Sequence, residues 1–283
     1  MSDLAVEWAS VAKDITIVSR ESGEYWFLAS SSCGGILPFT ATMSGSGTPG
    51  STAGLLDGAI ELGFAGSFAN AETRVLSLPR YVLDLIGSYH NARRAPGHFS
   101  RAAKRLSELN RPELAAYLET HAREETGHDR LALKDLRALG LPAERIVANL
   151  VPDGWQPVYE LFDDLAFSEY PLGCVGYCYC FESTAAIKQK TDIETIETLF
   201  PADVDASRFA RTHSGFGSEA GHVEDQIDLI ANLPASDRIE IVKATYATAK
   251  ALASNVCFDR QLSDASILAL IRTAAGEEIN LTV

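Results

Sequence analysis

At 283 residues with 46% hydrophobic content, the chain is long enough to bury the core of one substantial domain and too apolar to stay unfolded. A net charge of −14 argues against a protein that tracks nucleic-acid phosphates or docks on an anionic membrane. No apolar run reaches the roughly 18 residues of a membrane span, and the opening MSDLAVEWASVAKD lacks the basic and apolar parts of an export signal, so a cytoplasmic protein is expected.

ITIVSR and EYWFLASSS are short β-prone runs around a turn at Glu21–Gly23. The Gly/Ser/Thr-rich TATMSGSGTPGSTAG follows as a loop, and LLDGAIELGFA as a short helix. Residues 1–70 are therefore expected to form a small mixed α/β appendage or lid, and residues 71–283 a helical domain. LPRYVLDLIGSYHNARR predicts a helix ended by Ala95–Pro96–Gly97, and HFSRAAKRLSELN a second. RPELAAYLETHAREETGHDRLALKDLRALG predicts one long helix, with Pro112 in its first turn and Gly140 past its end. PAERIVANL, PVYELFDDLAFSEY, the unusually apolar PLGCVGYCYCFESTAAIKQK and the amphipathic TDIETIETLF continue the pattern. SRFARTHSGFGSEAGHVEDQIDLIANL, SDRIEIVKATYATAKALASNV and ASILALIRTAA complete it. The fold class is all-α, a bundle of about seven or eight helices.

Two copies of Glu-x-x-His carry the chemistry: Glu125–His128 and Glu219–His222. Residues three apart share a helix face, so each pair can offer a carboxylate oxygen and an imidazole nitrogen to one point. Two such pairs facing across a bundle, with further carboxylates, make a di-iron or di-manganese site. His121, Glu125 and His128 form one stripe, costly to bury unless paired or metal-bound; Glu124 lies beside them, and which glutamate points inward is open. Against this stands a solvated face, common for Glu-Glu runs. Glu182 has essentially no other charge near it in GCVGYCYCFESTAAI, so it is either a ligand or a neutral, hydrogen-bonded acid. Gly215, Gly217 and Gly221 weaken the last ligand helix, and a kink there would bring His213 inward. A first-helix carboxylate is missing where the spacing asks for one; His90 takes that slot, with Asn91 and Asp84 as alternatives. Tyr179 is the tyrosine singled out for a catalytic role, with Tyr89 and Tyr177 nearby. The five cysteines (Cys33, Cys174, Cys178, Cys180, Cys257) follow no metal or disulfide spacing and are expected as reduced packing residues.

In EETGHDRLALKDLRALGLP, FESTAAI and FPADVDASRFARTHSGFGSEAGHVEDQIDLI the chain resembles the haem-oxygenase-like di-iron oxidases and oxygenases, relatives of thiaminase II and of the pyrroloquinoline-quinone synthase fold. The resemblance covers about residues 76–260. It implies a haem-oxygenase-like bundle holding iron, Fe(II)/Fe(III) as two ions, which uses O2 to oxidise a small amino acid or carboxylic acid. The implied reactions are N-oxygenation, C–C cleavage or desaturation. It implies Glu125, His128, Glu182, Glu219 and His222 as ligands, with His90 in the place of the missing carboxylate. Gly215 stands where the family has a further histidine, and His213 is the candidate to compensate. Expected partners are the small-molecule substrate, a second copy of the chain, and a protein or carrier met through residues 1–70. Two other readings stay open: a metal-free thiaminase II-like hydrolase or transferase working through Cys178 or Glu182, and a non-catalytic helical binding protein.

Overall fold

The computed structural model describes residues 6–29, 43, 45–65, 76–215, 222–276 and 278–279. Three strands, β1 (Val6–Ala12), β2 (Ile15–Arg20) and β3 (Tyr25–Ala29), form an antiparallel sheet in that order. Trp8 pairs with Val18, and Ile17 with Phe27. Twelve α-helices follow among the described residues. They are α1 (Pro49–Phe64), α2 (Leu78–Glu108), α3 (Pro112–Glu124), α4 (His128–Ala138), α5 (Ala143–Asn149), α6 (Gln156–Ala166), α7 (Gly173–Ala186), α8 (Lys190–Glu197), α9 (Arg208–Thr212), α10 (His222–Ala231), α11 (Ala235–Gln261) and α12 (Asp264–Ala275). None is long and apolar enough to cross a membrane.

Three expectations about these elements are corrected. The first is the break at Ala95–Pro96–Gly97, because α2 runs unbroken through Pro96. An interior proline costs a helix about 3 kcal/mol, but α2 is the one element shared by both hydrophobic clusters of the core. Leu78–Tyr89 pack with α4, α5 and α12, while Ala95–Leu106 pack with α3, α6 and α7. Burial on both sides of Pro96 outweighs the lost hydrogen bond. The second is the start of α1, which lies inside the stretch read as a loop. Thr48 accepts from Ser51 N and Ser51 Oγ accepts from Thr48 N, a capping box, with Pro49 at the first helical position. The third is β1, which was not anticipated. Its buried positions are Glu7 and Ala9 rather than the large apolar residues that mark a strand.

Helix α1 packs along α11 and brings Phe64 to the wall of the central cavity. No described residue of β1–β3 lines that cavity. The sheet is locked to the bundle through Arg238, which is 0% exposed. Its guanidinium donates to Glu7, to the Gly45 carbonyl at 3.0 Å and to the Leu233 carbonyl. Glu7 also accepts from Ser51 Oγ, which ties in the start of α1. Helix α7 lies close against α11: a Cβ on Gly176 would stand 2.3 Å from the Ile241 carbonyl oxygen. Gln226 of α10 donates to the Val175 carbonyl at 2.8 Å, tying the middle of α10 to the first turn of α7.

Candidate metal centre

The long helix expected over residues 112–140 is broken between Glu125 and Gly127. Helix α3 ends at Glu124, Gly127 adopts a left-handed conformation (φ 98°), and α4 restarts at His128. Glycine takes such a φ at no steric cost. Glu124 and Glu125, adjacent at the end of α3, point to different targets, as neighbouring helical residues do. Donor atoms of His121, Glu124 and His222 lie within 4.8 Å of one another, and so do those of Glu125, His128 and His213.

The two triads interlock through buried carboxylates. Glu182 Oε1 is 3.6 Å from His121 Nε2 and 3.8 Å from His222 Nδ1. Glu125 approaches His121 Nε2 at 4.0 Å with one oxygen and His128 Nδ1 at 3.3 Å with the other. The second ligand segment is also broken, so that His213 caps α9 instead of lying within a long helix. Its Nδ1 donates to the Phe209 carbonyl at 3.0 Å, which leaves Nε2 as the atom it can offer a metal. Asp135, fully buried on α4, accepts from Phe209 N at 2.8 Å and from Arg208, clamping α9 to α4. The rings of His128 and His213 consequently meet edge to face, 4.8 Å apart.

Burial disfavours the charged form of two of the imidazoles, His213 and His121. Burial lowers the pKa of His213 to about 4 against the opposing pull of Glu125, and the His128 and Lys188 charges push it further down. Burial also lowers His121 despite the Glu125 and Glu124 charges. Glu125 moves the other way: burial acts to raise its pKa, but the His128 hydrogen bond and the neighbouring histidines hold the carboxyl below the usual carboxylate range. Neutral imidazoles beside ionised carboxylates are the protonation states a divalent metal requires.

The expected residues are therefore partly assembled. Glu125, His128, Glu182, His222 and His213 converge. Glu219, with Gly217 and Gly221, lies outside the described residues, as does Cys33. His90 does not join them. Its Nε2 is 2.9 Å from the Leu150 carbonyl and its ring packs edge-on to Tyr89 and Tyr159, in a separate surface groove. The neighbouring position on α2 faces the cavity instead: Asn91 lines it and accepts from Tyr177 OH at 2.6 Å. Tyr179 also stands apart, its hydroxyl donating to Asp57 of α1 at 2.8 Å and its side chain absent from the cavity wall. Two residues outside the expected ligand set join it, His121 and Glu124. The signal for His121 was its place one turn before Glu125 on the polar stripe.

A cavity of about 330 Å³ adjoins the cluster through His121, Glu125, Glu182 and His213. Phe64, Phe99, Trp155, Tyr177, Phe181 and Phe209 give its lining an aromatic character. Lys188 is the one Lys or Arg among its described lining residues.

Two predictions arise here. Gly127→Ala is expected to lower stability by about 1–2 kcal/mol, the cost of forcing a Cβ into the left-handed region. No atom lies within 4 Å of the added carbon, so sterics with neighbours contribute nothing. Urea denaturation measures it, and an unchanged midpoint would show that residue 127 does not need that conformation. The second prediction concerns acid. His213 refuses in the folded state a proton that the unfolded chain accepts below the ordinary histidine value of about 6.5. The unfolded state thus binds more protons between about pH 6.5 and the folded value of about 4, so the metal-free protein loses stability as pH falls through that window. His213→Asn should flatten this slope in chelator-treated protein; an identical slope would remove His213 as its source.

No protein-family model matches the sequence, and no curated protein matches it. Among solved structures it is similar to a domain of unknown function with a haem oxygenase-like fold from Shewanella denitrificans. The two share 16% identity over 81% of this chain and 95% of that one, with a TM-score of 0.58. At that identity the likeness establishes the fold, which is haem oxygenase-like, and carries no activity across.

Proposed function

We propose that this chain is an O2-dependent non-haem iron oxidase or oxygenase with two neighbouring metal positions. One would be held by His121, Glu124, Glu182 and His222, the other by Glu125, His128 and His213. The observation that carries this reading is the pair of interlocked His/carboxylate triads beside a cavity, buried or half-buried except for the exposed Glu124. The donor set is imidazole and carboxylate without thiolate, which suits iron or manganese. His222 Nδ1 is buried without a hydrogen-bond partner, a cost that a bound cation would relieve. Iron at such a site supplies the reduction of O2 and the oxidation of a bound organic substrate.

The chain's own residues do the rest. The Phe209 carbonyl orients His213, and Asp135 holds that segment against His128. The aromatic wall excludes water from the reacting face. Lys188 offers an ammonium to a substrate carboxylate, which favours an amino acid or other small carboxylic acid. The thiaminase II-like alternative is disfavoured by Cys178, whose thiol is pushed well up by burial and by the Glu182 charge, the reverse of an activated nucleophile. Anaerobic titration with Fe(II) should give uptake near two ions per chain, and admission of O2 should then consume oxygen. A chain that binds no iron and consumes no oxygen would end the proposal.

A further inference from the structure

Cys178, a buried thiol, and Tyr117, a half-buried side chain with a buried hydroxyl, are groups that the proposed reaction does not use. Tyr117 lies one helical turn before His121 on α3, and Cys178 one turn before Glu182 on α7. His121 and Glu182 meet at 3.6 Å, so the preceding turns of α3 and α7 place Tyr117 and Cys178 on neighbouring, contacting helices. Tyr117 packs against the core cluster that contains Cys178, and the two groups interact directly. The Tyr117 hydroxyl is buried with no oxygen or nitrogen partner, an uncommon state for a phenol. The Cys178 side chain also lines the cavity that reaches His121, Glu125 and Glu182.

From this juxtaposition we infer that Cys178 and Tyr117 are a modification site, joined by a thioether bond between Cys178 Sγ and a ring carbon ortho to the Tyr117 hydroxyl when the iron-loaded protein meets O2. The inference rests on the metal reading above. The thiol S–H and one aromatic C–H are broken and one C–S bond is made. The two electrons and two protons released pass to O2, which leaves as hydrogen peroxide, so atoms and electrons balance. Formation next to the metal positions accounts for the pairing of the two groups away from bulk solvent. A thioether-substituted phenol gives up an electron more easily than a plain tyrosine, so the product would be an internal electron source one turn from His121 and Glu182.

Mass spectrometry tests this independently of turnover. Full-length protein is loaded with Fe(II) without oxygen, exposed to air, then denatured and treated with a strong disulfide reductant. The expected result is loss of two hydrogen masses that survives reduction, with the Tyr117 and Cys178 peptides covalently linked and Cys178 closed to alkylation. Tyr117→Phe and Cys178→Ser should bind iron and keep their full mass. Iron uptake and oxygen consumption with an unchanged mass and an alkylatable Cys178 would overturn the crosslink alone. Oxygen atoms added to Cys178 in place of the hydrogen loss would overturn it too. Absence of iron uptake would defeat the metal reading and the crosslink with it.

Discussion

Replacing Glu182 by alanine should reduce iron uptake from about two ions per chain to one or fewer and lower oxygen consumption by more than roughly 100-fold, since even supporting groups around a metal are worth 10–100-fold. Glu182 is 5% exposed and its carboxylate stands between His121 and His222, so its loss leaves one triad without its shared anion. Glu182→Gln removes the charge while keeping the volume and should fail almost as completely, which separates coordination from packing. Metal analysis and an oxygen electrode give the two readouts. Wild-type iron content in both variants would show that Glu182 is a hydrogen-bonded core acid and would take the dinuclear reading down with it.

Glu7→Ala is expected to have the largest effect on stability, about 3–5 kcal/mol, because it strands a guanidinium that is wholly buried. Among the described residues, Arg238 would keep the Gly45 and Leu233 carbonyls and the Met43 sulfur as acceptors. Ser51 would lose its acceptor at the same time, so the start of α1 should loosen together with the sheet. Urea denaturation followed by far-ultraviolet circular dichroism measures the loss. A change below about 1 kcal/mol, the value of an exposed ion pair, would mean that the sheet is only loosely attached. Replacing both Glu7 and Arg238 by leucine should be milder than Glu7→Ala, since no unpaired charge remains.

The helical class was readable because apolar residues recur at helical spacing in α2, α3, α4 and α6, and local pattern suffices for that. The same reasoning erred wherever a distant contact overrode a local preference. Pro96 should end a helix, yet α2 continues because both of its halves are buried in separate clusters. Glu7 should not face a core, yet it does because Arg238 waits on α11, far along the chain. His90 occupied the expected ligand slot by counting, but the phase of α2 turns Asn91 to the cavity and His90 to the Leu150 carbonyl. Counting residues gives position along a helix axis and leaves rotation about it undetermined.

The sequence by itself determined the chemistry on offer: imidazoles and carboxylates at three-residue spacing, a lone glutamate in an apolar helix, and a net charge of −14. Which of those groups meet was decided by the tertiary structure. Adjacent glutamates at the end of α3 serve different triads, a left-handed glycine at 127 restarts the helix at His128, and the end of α9 turns His213 toward His128. The physical reason is that each break resets the rotational phase of the following segment. The new phase follows from how the whole bundle packs, through contacts such as Asp135 with Phe209 and Gln226 with Val175. No local spacing rule contains those contacts.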